Sequence, residues 1–581
     1  MVAATGACGD DDDSGAAGSS GAGGQTPLLP NSPEADSHRV FPQGVASGEP
    51  TPDSVVLWTR VDAAVATEVS YVVATDEALT QVVAAGTVTA SPEADATVRL
   101  LITKLAADTR YYYRFATAAT TTQVGRTRTA PAADADRAVT YAMASCQDFI
   151  GRRYHAWQAL LDESADVDFV LFLGDYIYET TGDPQFQTLD PERAITLPDG
   201  LSLDGTATNK AAVSLADYRT LYRAYRNDPA LREVHRRFPF VILWDDHEFA
   251  NDCWQDHATD FSEGQGDERS TARRQAASQA WAEYQPVSVV RDATQAFPAD
   301  LTIYRTLRFG RHVELFITDE RLYRADHLIP EGPANTAVAK FSTNSSLGSR
   351  NFVLKKGFDP LEAAAAPTML GAPQKAWLLE KLPASTATWK VWANEVQLWQ
   401  MAVDLAPYPT VPTEYRDLFY FSCDQWDGYR SERAALLTAF AGVENLVACT
   451  GDIHGFYAAE LHPDFDQPGA TPVAVEYVVA GISSQSTQEL TRTTVKGDPL
   501  LGALGLDPLI DDFDNVLLTT NAKHLRHSKG GANGFALVTV TAQAFDVTFV
   551  TTGNPLDQAA TGVVSRARLR TVAGSRTVVP A

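Results

Sequence analysis

Phe169-Val170-Leu171-Phe172-Leu173-Gly174-Asp175-Tyr176-Ile177-Tyr178-Glu179 is the stretch from which the fold follows. Its first five residues are all apolar and read as a buried strand. The run stops at a glycine and then delivers an acid, a phenol and a second acid. Three other apolar runs behave alike. Ala138–Ala144 ends on Ser145-Cys146-Gln147-Asp148, Phe240–Trp244 stops at Asp245-Asp246-His247-Glu248, and Leu446–Thr450 stops at Gly451-Asp452-Ile453-His454. A single Asp after a strand is as readily a turn or cap residue. Four such ends in one chain make a rim, and ligands of open α/β sheets bind just beyond the carboxyl ends of the strands. So many neighbouring carboxylates are buried together only where cations neutralise them.

The donor types narrow the chemistry. Carboxylates and a phenolate are hard oxygen ligands suited to trivalent iron or to calcium, whereas a thiolate and an imidazole favour transition metals. Cys146, Asp175, Tyr178 and His454 therefore predict a mixed site, a transition metal beside an oxygen-rich cation position. Two such metals would clamp a phosphate and hold a water of lowered pKa as nucleophile. No serine sits in a nucleophile-elbow motif. The expectation is a metal-dependent phosphoester hydrolase.

Outward from these strands, helical patterns alternate with strands over about 137–555, which predicts a layered α/β domain. One helix follows the first strand, with Tyr154, Trp157, Leu160 and Leu161 on one face. Before it, residues 38–130 carry short β-branched and aromatic runs such as Ser54–Arg60, Glu68–Ala74 and Thr109–Phe115, the pattern of an all-β sandwich. The tyrosine-bearing run is similar to the corresponding strand of fibronectin type III domains. Residues 556–581 read as a tail. Residues 1–37, rich in Gly, Ala, Ser and Asp, read as a disordered tether. Within that span Thr5-Gly6-Ala7-Cys8 is similar to the end of a bacterial lipoprotein signal, so an exported chain, periplasmic, cell-surface or extracellular and lipid-anchored at Cys8, is expected.

The chain has 581 residues, 45% of them hydrophobic, enough for two globular domains. A formal net charge of −26 argues against a nucleic-acid-binding surface. No apolar run is long enough to span a membrane. The five cysteines form neither a zinc-finger spacing nor a dense disulfide framework, although Cys253 and Cys423 are a candidate bridge in an oxidising compartment.

These motifs resemble the alkaline phosphatase D (PhoD) family, within the calcineurin-like metallophosphoesterase type of fold, over nearly the whole chain. Phe41–Pro50 is similar to the family's amino-terminal β domain. Ser145-Cys146-Gln147, Gly174-Asp175 with Tyr178-Glu179, Trp244–Glu248 and Gly451–His454 stand in the family's order. Asp319–Arg324, Met369-Leu370-Gly371 and Asp424–Tyr429 match as well. The resemblance implies Fe3+ and Ca2+ as cofactors. Cys146 and Tyr178 would bind iron, Asp175 would bridge iron and calcium, Asp452 and His454 would complete the cluster, and Asp246 or Asn251 would lie on the calcium side. Which of Asp245, Asp246 and Asn251 binds directly stays open. His247 is the expected phosphate-orienting residue or leaving-group acid. Arg153, or its neighbour Arg152, is expected to contact the substrate phosphate. His524 and His527 are expected as surface histidines. The substrates implied are small phosphate monoesters. A phosphodiesterase or phospholipase D-like enzyme is the alternative, and a cell-surface binding protein with an inactive enzyme domain is disfavoured by the intact motifs.

Overall fold

The computed structural model describes residues 2–4, 31–163, 166–184, 186–258, 269–292, 294–329, 350–467, 471–497 and 502–581. Cys8 and most of the expected tether lie outside them. The tether is shorter than expected, because Ser32 exchanges two hydrogen bonds with Thr121, at 2.8 and 2.9 Å, and Glu34–Val40 is a helix.

The amino-terminal part is all-β. One sheet holds Val82–Ala90, Thr67–Ala74, Arg110–Ala116 and Gly125–Arg128, in that order. Thr97–Thr103, Ser54–Arg60 and Val45–Gly48 form the facing strands. Strict alternation in Thr97–Thr103 turns Val98, Leu100 and Ile102 inward, where they meet Val55, Leu57, Val69 and Phe115. This unit is not an independent bead. Val45–Gly48 also pairs in parallel with Pro239–Leu243 of the α/β part, Ser47 opposite Pro239 and Gly48 opposite Phe240. A side chain at Gly48 would meet the Pro286 carbonyl at 2.2 Å, so glycine is required where the two parts join.

The α/β part is two sheets packed face to face with helices outside. Pro239–Leu243, Phe169–Leu173 and Val139–Ala144 run parallel, and the sheet continues with antiparallel Gly534–Val540, Ala544–Thr552 and Val563–Val572. Residues 556–581 are therefore not a tail, since Val563–Val572 pairs along most of its length with Ala544–Thr552. Its alternate exposed residues gave it the look of a solvated terminus. The second sheet runs Arg305–Phe309, Val313–Ile317, Trp389–Asn394, Leu446–Thr450, Ala474–Val478, Phe456–Leu461 and Leu525–Lys529. Phe456 stacks on Phe549 at 4.7 Å and the Tyr141 hydroxyl meets the Cys449 sulfur at 3.6 Å across the interface between sheets. Both faces of each central strand are covered, which is why these strands are continuous apolar runs rather than alternating ones. No helix among the described residues is long and apolar enough to cross a membrane. Cys253 and Cys423 are both free and buried, so the candidate bridge does not form.

Candidate metal centre

The four strand ends of the sequence motifs converge on one cleft. Cys146, Asp175 and Asp246 arrive from the first sheet and Asp452 and His454 from the second. Cys146, Asp175, Asp452 and His454 all have left-handed backbone, with φ of 54°, 58°, 60° and 51°. That conformation costs about 1–2 kcal/mol for each non-glycine residue, and such strain gathers at functional sites. Gly174, at φ 91°, permits the approach: a Cβ there would sit 2.5 Å from the Asp245 Cβ. The Cys146 amide donates to the Gly174 carbonyl at 3.1 Å, which ties two of the ends together.

At one end of the cluster are a thiol, a carboxylate, a phenol and an imidazole. The Tyr178 hydroxyl lies 3.1 Å from Asp175 Oδ2 and 3.2 Å from His454 Nε2, and Ser484 Oγ donates to it at 2.6 Å. His454 Nδ1 faces the Gln485 carbonyl at 2.6 Å, which fixes Nδ1–H as the donor and leaves the Nε2 lone pair for a ligand role. Burial lowers the His454 pKa to about 4, so the ring is neutral. Cys146 is fully buried, and burial together with the Asp175 charge pushes its thiol up. Asp175 Oδ1 is buried without a hydrogen-bond partner.

The other end is oxygen-rich. Carboxylate oxygens of Asp245, Asp246 and Asp452 fall within 4.8 Å of one another, as do those of Asp246, Asp252 and Asp424. Burial raises Asp452 to about 8. Burial also opposes ionisation of Asp246, yet Arg321 and His247 outweigh it and hold that carboxyl below its usual value.

Behind these acids stands a residue to which the sequence reading gave no role. Arg321 is fully buried, bonds Asp245 through Nε and Asp424 through Nη1 at 2.9 Å, and meets Asp452 at 3.2 Å and Asp246 at 3.6 Å. Arg324 and His327 complete the support by bonding Asp424 from the far side. Asp245 is thus turned onto Arg321, whereas Asp246 and Asn251 line the cleft.

His247 lines the cleft as well, and its Nδ1 meets Glu179 Oε2 at 2.6 Å. Burial opposes its protonation, but Glu179, Asp246 and Asp175 raise its pKa well above the ordinary histidine value. Arg153 is elsewhere, paired with Asp190 at 2.8 Å and Glu192 at 3.1 Å. Arg152 is buried on the carbonyls of Ser483 and Phe186. Neither lines the cleft, so the expected phosphate contact from this pair is corrected: the loop turns both guanidiniums onto local partners. His524 is not a surface residue either; it is buried with Nε2 on the Gln400 carbonyl, and His527 is half-buried. Glu179, Glu248, Gln425 and Ser484 also shape the site. Glu248 accepts the amides of Asp175, Tyr176 and Asp245 and so pins two strand ends. The match of Asp319–Arg324 to the family's motifs was the available signal for Arg321.

Comparison with known proteins adds four observations. The family model described as PhoD-like phosphatase matches residues 141–549, and that of the PhoD-like phosphatase N-terminal domain matches residues 28–131. Alkaline phosphatase D of Bacillus subtilis (strain 168) is 31% identical over 459 residues, covering 76% of this chain and 69% of the relative. A solved structure titled "Structure of PhoD" superposes with a TM-score of 0.72 at 25% identity, covering 96% of this chain and 93% of that one.

Proposed function

The chain belongs to the PhoD-like phosphatase family and is a phosphoric ester hydrolase, and from that premise we propose that it is an exported alkaline phosphatase that uses ferric iron and calcium to hydrolyse phosphate monoesters. The convergence of the Cys146 thiol, the Tyr178 hydroxyl, the Asp175 carboxylate and the His454 Nε2 carries this reading. One thiolate, one phenolate, one carboxylate and one imidazole suit a trivalent transition metal, and the buried, unpartnered Asp175 Oδ1 needs a cation to satisfy it. Asp246, Asn251, Asp452 and Asp252 supply the oxygen donors that suit calcium, with Asp175 between the two groups. When bound, the cations supply Lewis acidity and a water acidic enough to serve as nucleophile.

The protein's own residues do the rest. Glu179 keeps His247 protonated and oriented, ready to give its proton to the leaving-group oxygen. Arg321 supplies a fixed positive charge behind the carboxylates, which keeps Asp246 ionised as a ligand must be. The buried Glu248 holds the Asp175 and Asp245 backbones in register. The Ala106 amide bonded to the Tyr111 hydroxyl at 2.8 Å supports a fibronectin-like reading of the β domain, as in a tyrosine corner. Export and a lipid anchor at Cys8 rest on the sequence of the amino terminus.

Phosphate release from a monoester and a diester, measured before and after chelation, tests the reading. Monoester turnover that chelation abolishes is the expected result; metal-independent turnover would overturn it.

A further inference from the structure

A second, apolar recess opens from the metal cleft. Phe352, Phe421 and Thr491 line both. With them the recess is a small cavity of about 40 Å³, bounded by residues that include Val403, Leu405, Val495, Leu509, Phe513 and Val516. An aromatic series marks the passage: Phe352 meets Phe421 edge-on at 5.5 Å, and Phe421 meets Phe513 edge-on at 6.1 Å. The one polar side chain among the described residues of the lining, Thr491, spends its hydroxyl on the Thr487 carbonyl at 2.8 Å.

Charge points the same way. No Lys or Arg is among the described residues lining the cleft. Arg321, Arg324 and Arg350 stand behind the acids and are paired with Asp245, Asp424 and Asp252. Among the described residues the cleft therefore offers metal-ligating groups for the reacting phosphoryl group and, apart from His247 on Glu179, no cationic side chain for a second anionic group. A substrate with a second phosphate or a carboxylate on its carbon side would carry that charge into an apolar recess.

We infer that the recess is a subsite for the carbon side of the ester, and that the enzyme prefers phosphate monoesters of apolar alcohols, alkyl or aryl, over those of charged or sugar-like ones. This rests on the phosphoester reading above. The phosphoryl group sits among the cleft carboxylates, and the alkyl chain or ring runs past Phe352 and Phe421 toward Phe513. Apolar contact remote from the reacting bond is the same in the ground and transition states, so it lowers KM and leaves kcat unchanged.

Straight-chain alkyl phosphates from ethyl to octyl test this, because their leaving groups are chemically alike while their apolar length grows. We expect kcat/KM to rise by up to about fourfold per methylene until the recess is full, through KM. Leu509→Trp, at a half-buried position in the recess, should flatten the series while leaving ethyl phosphate turnover as it was. Val495→Phe is a second filling variant with the same expectation. A flat series in the unmodified enzyme, with ethyl phosphate turned over, overturns the subsite and leaves the phosphatase reading standing. Absence of turnover on every ester removes both. A rise that persists in two folded filling variants also overturns the assignment of this recess.

Discussion

Glu179 accepts His247 Nδ1 at 2.6 Å with one oxygen and the Asn251 amide at 2.8 Å with the other, so one buried carboxylate fixes two residues of the cleft. His247 owes its elevated pKa first to this partner among its charged neighbours. Glu179→Gln should retain bound metal and lose activity by about 10²-fold, the scale of a misplaced general acid. It should also move the alkaline limb of the kcat profile to lower pH, because a histidine without its carboxylate gives up its proton sooner. A profile unchanged in position would show that His247 is not the acid.

Arg321 is a counter-charge of four carboxylates, so Arg321→Met leaves Asp245 buried without its cation and Asp246, Asp424 and Asp452 each with one fewer. Breaking a buried ionic network from one side costs about 3–5 kcal/mol. The loss of thermal stability should be greater after metal removal, when Arg321 is the cation that Asp245, Asp246, Asp424 and Asp452 share. Arg321→Lys should rescue little, since a point charge cannot fork to Asp245 and Asp424 together. Equal destabilisation with and without metal would contradict this.

Gly174→Ala forces a methyl against Asp245 at a backbone angle that alanine rarely adopts. Asp175 follows directly, so metal affinity and activity should fall together while the β domain stays folded. Isothermal titration with the metal checks the first and phosphate release the second.

Acid should destabilise the protein in a defined window. Burial holds His524 near a pKa of about 4 and His235 well below the ordinary value, whereas both take up protons near 6.5 in the unfolded chain. Stability from these neutral histidines is complete above 6.5 and is lost as pH falls toward the folded values. For His524 alone the loss amounts to roughly 3 kcal/mol at pH 4. Thermal melts from pH 7 to 4 should show a shallower slope in His524→Asn than in the parent.

The parts of this architecture that the sequence exposed are those whose signal is local. Strands covered on both faces are unbroken apolar runs, and the candidate ligands at strand ends follow them within a few residues, so Cys146, Asp175, Asp246 and His454 could be named as candidates without coordinates. Arg321 and Glu179 could not be given roles, because their partners lie 76 and 68 positions away along the chain. Arg153 misled for the complementary reason: proximity in sequence to Cys146 says nothing about where a turn aims a guanidinium. The carboxyl-terminal strand was hidden by its exposed alternate residues, and the joining of the β domain to the catalytic sheet by the brevity of Val45–Gly48.

Metal content tests the central claim most directly. Purified protein should contain iron and calcium in proportion to the chain, with phosphate release that disappears on chelation and returns when both metals are restored. Cys146→Ala should lose the iron and the activity together while remaining folded. Iron retained at full occupancy in Cys146→Ala, or full activity in protein free of iron, would contradict the assignment of this site.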